Sequence, residues 1–203
     1  MSTESRPSTR RYTKGELARE QIVNAAKRLF MQRGYYNTSI YDLFEKAGIT
    51  KGAFYHHWHT KEELALTILQ QMKEAYERHF FPILRSDRPA REKIEQALHM
   101  LQEFNTNPDW VYCRLLAMWS AEMGTEEDAL AQGVQEMRQR WLEFWEQLLR
   151  SAQEQGHLRT DIPAKELSFL MLSATMGVYI AERNGGCHGR YRALETMRRV
   201  LFT

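Results

Sequence analysis

The sequence predicts an all-α protein of nine helices, three in an N-terminal head and six in a C-terminal body. Three observations carry this. Apolar residues recur three and four apart along nearly the whole chain, the spacing of one helix face. Ser, Thr, Asp or Asn stands ahead of these runs and Gly or Pro behind them, as caps and stops. Strand signals, with apolar and polar residues in strict alternation, are absent. At 203 residues the chain is long enough for one large or two small cores.

Each element has its own punctuation. Thr13 and Glu16 form a capping box for the first helix, which carries Ile22, Ala25, Ala26, Leu29 and Phe30 on one side. Thr38 or Ser39 caps the second helix; Ile40, Leu43, Phe44 and Ala47 are its buried stripe, and Gly48 ends it. Thr50 caps a short third helix in which Phe54, His57 and Trp58 share the inward side. Thr60 with Glu63 boxes a fourth helix over about residues 61–83, interrupted late by Pro82. Asp87 and Pro89 open a fifth, with Ile94, Leu98, Leu101 and Phe104. Asn107-Pro108 opens a sixth, from Trp110 to Met123. Thr125 with Asp128 opens a long seventh that ends at Gly156. Pro163 lies in the first turn of the eighth, which stops at Gly185-Gly186, and a ninth fills about residues 190–201.

Two short helices joined by a glycine turn are the geometry that lays the second helix in a DNA major groove. Lys51, Gly52, Tyr55, His56 and His59 fall opposite the inward side. Lys51 suits a phosphate or a guanine edge, Gly52 lets the backbone approach closely, and Tyr55 can reach a phosphate and a thymine methyl. His56 faces the groove as well. Thr38, Thr50 and Lys61 are expected at phosphates, Lys61 beside the free N–H groups of the fourth helix.

The wording of this stretch resembles the TetR-type (TetR/AcrR) bacterial transcriptional regulators. Thr38, Asp42, Leu43, Ala47, Gly48, Ile49, Thr50, Lys51, Gly52, Phe54, Tyr55, His57, Trp58, Lys61 and Leu64 match in order and spacing. Ile22 to Phe30 and Gly34-Tyr35-Tyr36 fit too, so the resemblance covers roughly residues 15–65. Trp58 stands where Phe is usual and Phe44 where a small residue is common. The resemblance implies a homodimeric repressor on a palindromic operator, released by a small-molecule effector.

Charge agrees with a DNA reader. Residues 1–61 hold 11 Lys+Arg against 5 Asp+Glu, and residues 62–203 hold 17 against 21. A basic head thus sits on an acidic body. The expected division is a flexible basic arm over 1–14 with Arg6, Arg10, Arg11 and Lys14, a DNA-binding domain over 15–62, and a ligand-binding and dimerisation domain over 63–203. The N-terminus has no apolar signal segment. Two cysteines, Cys113 and Cys187, are too few for a disulfide framework, so a cytoplasmic protein is expected. The run from Leu167 to Ala181 is too short and too rich in Ser, Thr and Gly to span a membrane.

The eighth helix is apolar nearly all round, and such a helix must be covered on every side. One face meets the protein's own core and the other a second copy, with Ser173, Ala174 and Gly177 permitting close approach. The ninth adds Tyr191, Leu194, Met197, Val200 and Leu201. Helices eight and nine are therefore the expected homodimer interface.

Soft and flat side chains concentrate in the body. Phe104, Trp110, Trp119, Met123, Met137, Trp141, Phe144 and Tyr179 are the candidate walls of a pocket for a flat or greasy effector, although aromatic stripes also simply build cores. Glu103, Glu122, His99, Arg114 and Tyr179 are polar groups able to orient a ligand. No cofactor is expected beyond that effector. Two rival readings remain. Cys113, near Trp110 and Arg114, is a candidate redox switch if the cation lowers its pKa. A hydrolase would use His99 or His157 with a carboxylate, but no nucleophile elbow accompanies them. His56, His57 and His59 are expected to diverge rather than bind metal, and Cys187-His188 is a thin metal signal.

Overall fold

A computed structural model describes residues 13–102, 111–123, 128–181 and 188–202. Among these it contains nine helices and no strand: α1 (Lys14–Arg33), α2 (Ile40–Ala47), α3 (Lys51–Tyr55), α4 (Lys61–Arg85), α5 (Ala90–Gln102), α6 (Val111–Glu122), α7 (Ala129–Glu154), α8 (Ala164–Ala181) and α9 (His188–Phe202). Residues 1–12 of the basic arm, Glu103, Phe104, Asn107, Pro108, Trp110, Thr125, Gly185, Gly186 and Cys187 lie outside the described residues, whereas Lys14 already opens α1.

The caps are local and fall nearly where the side chains put them. Thr13 and Glu16 close a reciprocal box on α1. Ser39, not Thr38, caps α2, with Asp42 reaching back to it. Gly48 takes the left-handed conformation at φ 63°, and Thr50 caps α3 through the Ala53 N–H. Thr60 caps α4, but Glu63 reaches past it to the His59 N–H at 2.6 Å. Asp128 caps α7 itself, which shifts the start of that helix to Ala129. The N–H of Ala90 at the start of α5 is taken by Gln155 Oε1 from the far end of α7, at 2.9 Å.

The head packs α1 across α2 and α3 through Ile22, Ala26, Phe30, Leu43 and Phe54, all buried. A helix of five residues has no stability of its own. It is Phe54 and Trp58, both interior, that hold α3 in place. α4 runs continuously out of the head, so an expected domain boundary after residue 62 cuts a helix rather than a linker. Pro82 lies within its last turns without ending it. In the body, α7 packs on α8 and α4, and α6 lies between α8 and the head's α1. Trp145, Phe144, Phe80 and Leu167 are central to this core. No helix among the described residues is long and apolar enough to cross a membrane.

Candidate nucleic-acid interface

Burial of Phe54 decides what α3 shows to solvent. Its ring meets Phe44 at 5.8 Å and Trp58 at 6.0 Å. Trp58 is fixed by its indole N–H to Thr67 Oγ1 at 2.9 Å. The two aromatic departures noted in the sequence thus form one small core. Thr50, Lys51, Gly52, Tyr55 and His56 are all exposed on the other side. A Cβ at Gly52 would meet nothing, so the fold itself does not require glycine there.

The sequence reading missed Tyr41. It is the most exposed large apolar side chain described, at 66%, and Lys51 Nζ stands 5.4 Å from its ring centre. Its ring also meets Phe44 at 5.9 Å. The available signal was its position on α2, off the buried stripe of Ile40, Leu43, Phe44 and Ala47.

Two expected phosphate ligands are corrected. Thr38 is fully buried, and its hydroxyl donates to the Gly34 carbonyl at 2.7 Å. Lys61 turns inward, donating to the carbonyls of Tyr35 at 2.8 Å and Thr38 at 2.9 Å. Its ammonium also lies 4.2 Å from the Tyr35 ring centre. Burial lowers the Lys61 pKa, while Glu122 pulls it back up. Both residues fasten the α1–α2 turn instead of facing DNA. The same burial pushes the Tyr35 phenol up to about 12.

That turn is also gripped by the body. Glu122 Oε2 accepts the Tyr35 N–H at 2.6 Å. Gly34, at φ 88°, leaves the space for it, because a Cβ there would run into the Glu122 carboxylate. Trp119 packs edge-on to Phe30 at 6.0 Å and Tyr35 at 6.4 Å. About two turns from Trp119 on α6, Tyr112 Oη accepts from Lys27 Nζ of the head at 2.6 Å and donates to Gln71 of α4 at 3.0 Å. Trp119 and Glu122 therefore pack at the head–body junction, and neither lines the two apolar clefts of the body.

The body holds two narrow apolar clefts that share Cys113, Leu116 and Trp141. Met137 lines the first, Tyr179 the second, and Trp141 both. Met123 is buried at the end of α6 away from both. Phe144 stands behind the wall, on Phe80 at 5.2 Å and Trp141 at 6.0 Å. Tyr76, on the first cleft, donates its hydroxyl to the Arg140 carbonyl at 3.0 Å.

The rival chemistries lose their footing here. Burial pushes the Cys113 thiol up to about 12, the reverse of an activated thiolate. His99 and His157 are exposed and line neither cleft. His56 and His57 do not diverge; their rings lie 4.8 Å apart. Burial lowers the His57 pKa, with His56 and Arg19 adding to it. Among the described residues, no three His, Cys, Asp or Glu side chains gather as a metal site.

An α-helical head with a solvent-facing reading helix, joined through α4 and α6 to a helical body, defines a helix-turn-helix transcriptional regulator. Residues 22–68 match the family described as bacterial regulatory proteins, tetR family, and residues 90–200 match the tetracyclin repressor-like C-terminal domain. The chain belongs to the TetR family of DNA-binding transcriptional regulators. It is 27% identical to the HTH-type transcriptional regulator UidR of Escherichia coli (strain K12) over 168 residues, 82% of each chain. The MbdR regulator from Azoarcus sp. CIB is similar in fold, with a TM-score of 0.79 at 24% identity, covering 92% of this chain and 97% of that one. So is AibR, solved with isovaleryl coenzyme A and operator DNA, with a TM-score of 0.74 at 20% identity over 91% and 98% of the two chains.

Proposed function

We propose that this regulator is a cytoplasmic repressor that binds a palindromic operator as a homodimer and releases it when a small, largely apolar molecule enters the body. Thr50, Lys51, Gly52, Tyr55 and His56 meet the DNA, with Tyr41 steering the Lys51 ammonium. The observation that carries the reading is the exposed Lys51-Gly52-Tyr55 face of α3, set opposite a fully buried Phe54.

The dimer rests on an apolar stripe left uncovered along α8. Phe169, Leu170 and Ile180 are 60%, 48% and 44% exposed, and Val200 of α9 is 39% exposed. Ser173 and Gly177 lie along the same outward side and admit a close helix crossing. Solvent-exposed apolar stripes of this kind mark protein interfaces.

Release follows from the junction. A ligand shifts a conformational balance only by fitting one arrangement better than the other. Tyr112 has its ring in the first cleft and its hydroxyl on the head's Lys27. An effector that moves α6 therefore also moves Trp119 and Glu122 against the α1–α2 turn, alongside α4. AibR, solved with isovaleryl coenzyme A and operator DNA in one structure, supports a ligand-binding body on this fold.

Sedimentation of wild-type protein and of Phe169→Glu/Ile180→Glu tests the assembly. A wild-type dimer and a folded monomeric variant without operator affinity are expected. A monomeric wild type that still protects two half-sites contradicts the α8–α9 interface.

A further inference from the structure

Three facts bear on what the clefts accept. First, none of the described residues lining them is Asp, Glu, Lys or Arg. His79 on the first cleft is the single possible cation among them and none stands beside Trp145 on the second, so an ionic group buried there would find no counter-charge, and desolvating it unpaired is costly. Second, the walls are flat: Trp141 stands between the two clefts, with Tyr76 on the first and Trp145 on the second. Third, Trp145 is fully buried, yet its indole N–H has no hydrogen-bond partner among the described residues. Other polar groups beside it are spoken for; Thr175, for example, donates to the Met171 carbonyl at 2.6 Å. A water in so apolar a surround finds too few further partners to be held.

We propose that the effector is an uncharged, flat, apolar molecule carrying one hydrogen-bond acceptor, and that Trp145 Nε1–H donates to that acceptor. This rests on the reading of the body as an effector pocket and assigns the chemistry of its ligand. The indole donor sets orientation and the aromatic walls supply most of the contact. Anionic molecules are excluded by the missing counter-charge, and pure hydrocarbons bind more weakly because they leave the N–H unmatched.

Three probes on one ring system separate these claims: 2-acetylnaphthalene, 2-ethylnaphthalene and naphthalene-2-sulfonate. Equilibrium dialysis against the full chain gives their affinities. The ketone is expected to bind about tenfold more tightly than the ethyl compound, the size of one matched hydrogen bond, and the sulfonate more weakly than either. In Trp145→Phe the ketone's advantage disappears. In Trp119→Phe it stays, because that equally unpartnered indole lies at the head–body junction instead of in a cleft.

Equal binding of ketone and ethyl compound by the wild-type chain overturns the role of Trp145 while leaving an apolar pocket. Sulfonate binding as tight as ketone overturns the requirement for neutrality. Failure of both neutral probes to bind overturns the effector-pocket reading together with this one. The wild-type comparison decides the matter even if Trp145→Phe does not fold.

Discussion

Glu122 holds the N–H of Tyr35 at 2.6 Å while Lys61 holds the same residue's carbonyl at 2.8 Å. One residue of the α1–α2 turn is thus fastened from α6 by its donor and from α4 by its acceptor. These are the two helices that join the body to the head. The turn leads directly into α2, and α2 sets the pose of α3.

Glu122→Ala should cost about 1–3 kcal/mol in urea unfolding, the penalty for a partly buried N–H left without its acceptor. Glu122→Gln keeps an acceptor and should lose less. Gly34→Ala combines strain at φ 88° with a clash against Glu122, so it should cost more than Glu122→Ala. An unfolding midpoint for Glu122→Ala equal to wild type contradicts the latch.

The two lysines of the head should separate cleanly in salt. Lys51→Ala should lower the slope of log affinity against log salt by about one, as the loss of one phosphate contact does. Lys61→Met should leave that slope unchanged and lower stability by roughly 1–3 kcal/mol, because its two acceptors lose a charged donor. Titrations of one DNA duplex at several salt concentrations read both. A reduced slope for Lys61→Met would return Lys61 to the phosphates.

Gly52→Ala should stabilise the free protein by up to about 1 kcal/mol, since glycine inside a helix is disfavoured and a Cβ there meets nothing. The same change should weaken DNA binding by crowding the groove. Thermal melts and DNA titrations give the two signs. A gain in stability with unaltered DNA affinity removes Gly52 from the interface.

Cys113 should be a poor nucleophile in the folded protein, although it lines both clefts. Its thiol keeps its proton from the ordinary value of 9.0 up to about 12, so the unfolded chain ionises first. Stability should therefore fall as pH rises through that window. In a Cys187→Ser background, a thiol reagent at pH 8 should react more slowly with the native protein than with the unfolded chain, and peroxide should leave DNA binding intact. Fast reaction of the native protein would reinstate a redox role.

What was legible in the sequence was local. Thr13, Thr50 and Thr60 cap their helices through N–H groups three residues on, within reach of any side-chain oxygen at that spacing. The inward face of α3 followed from Phe54 and Trp58 alone. Lys61 was misread because its acceptors lie 26 and 23 residues back, and nothing near it announces them. Thr38 and Ser39 are adjacent hydroxyls, and only the tertiary turn decides which caps and which is buried. Trp119 and Glu122 were assigned to a pocket because periodicity gives a face of α6 but not its neighbour, which here is the head.

The central claim is a two-headed reader of a symmetric site. The most direct measurement is selection of the purified protein against random DNA at physiological salt, followed by footprinting of the winners. A palindrome with two protected half-sites, lost in Tyr55→Ala without loss of fold, is the predicted result. Enrichment no better than non-specific DNA, or a single unpaired half-site, would contradict it.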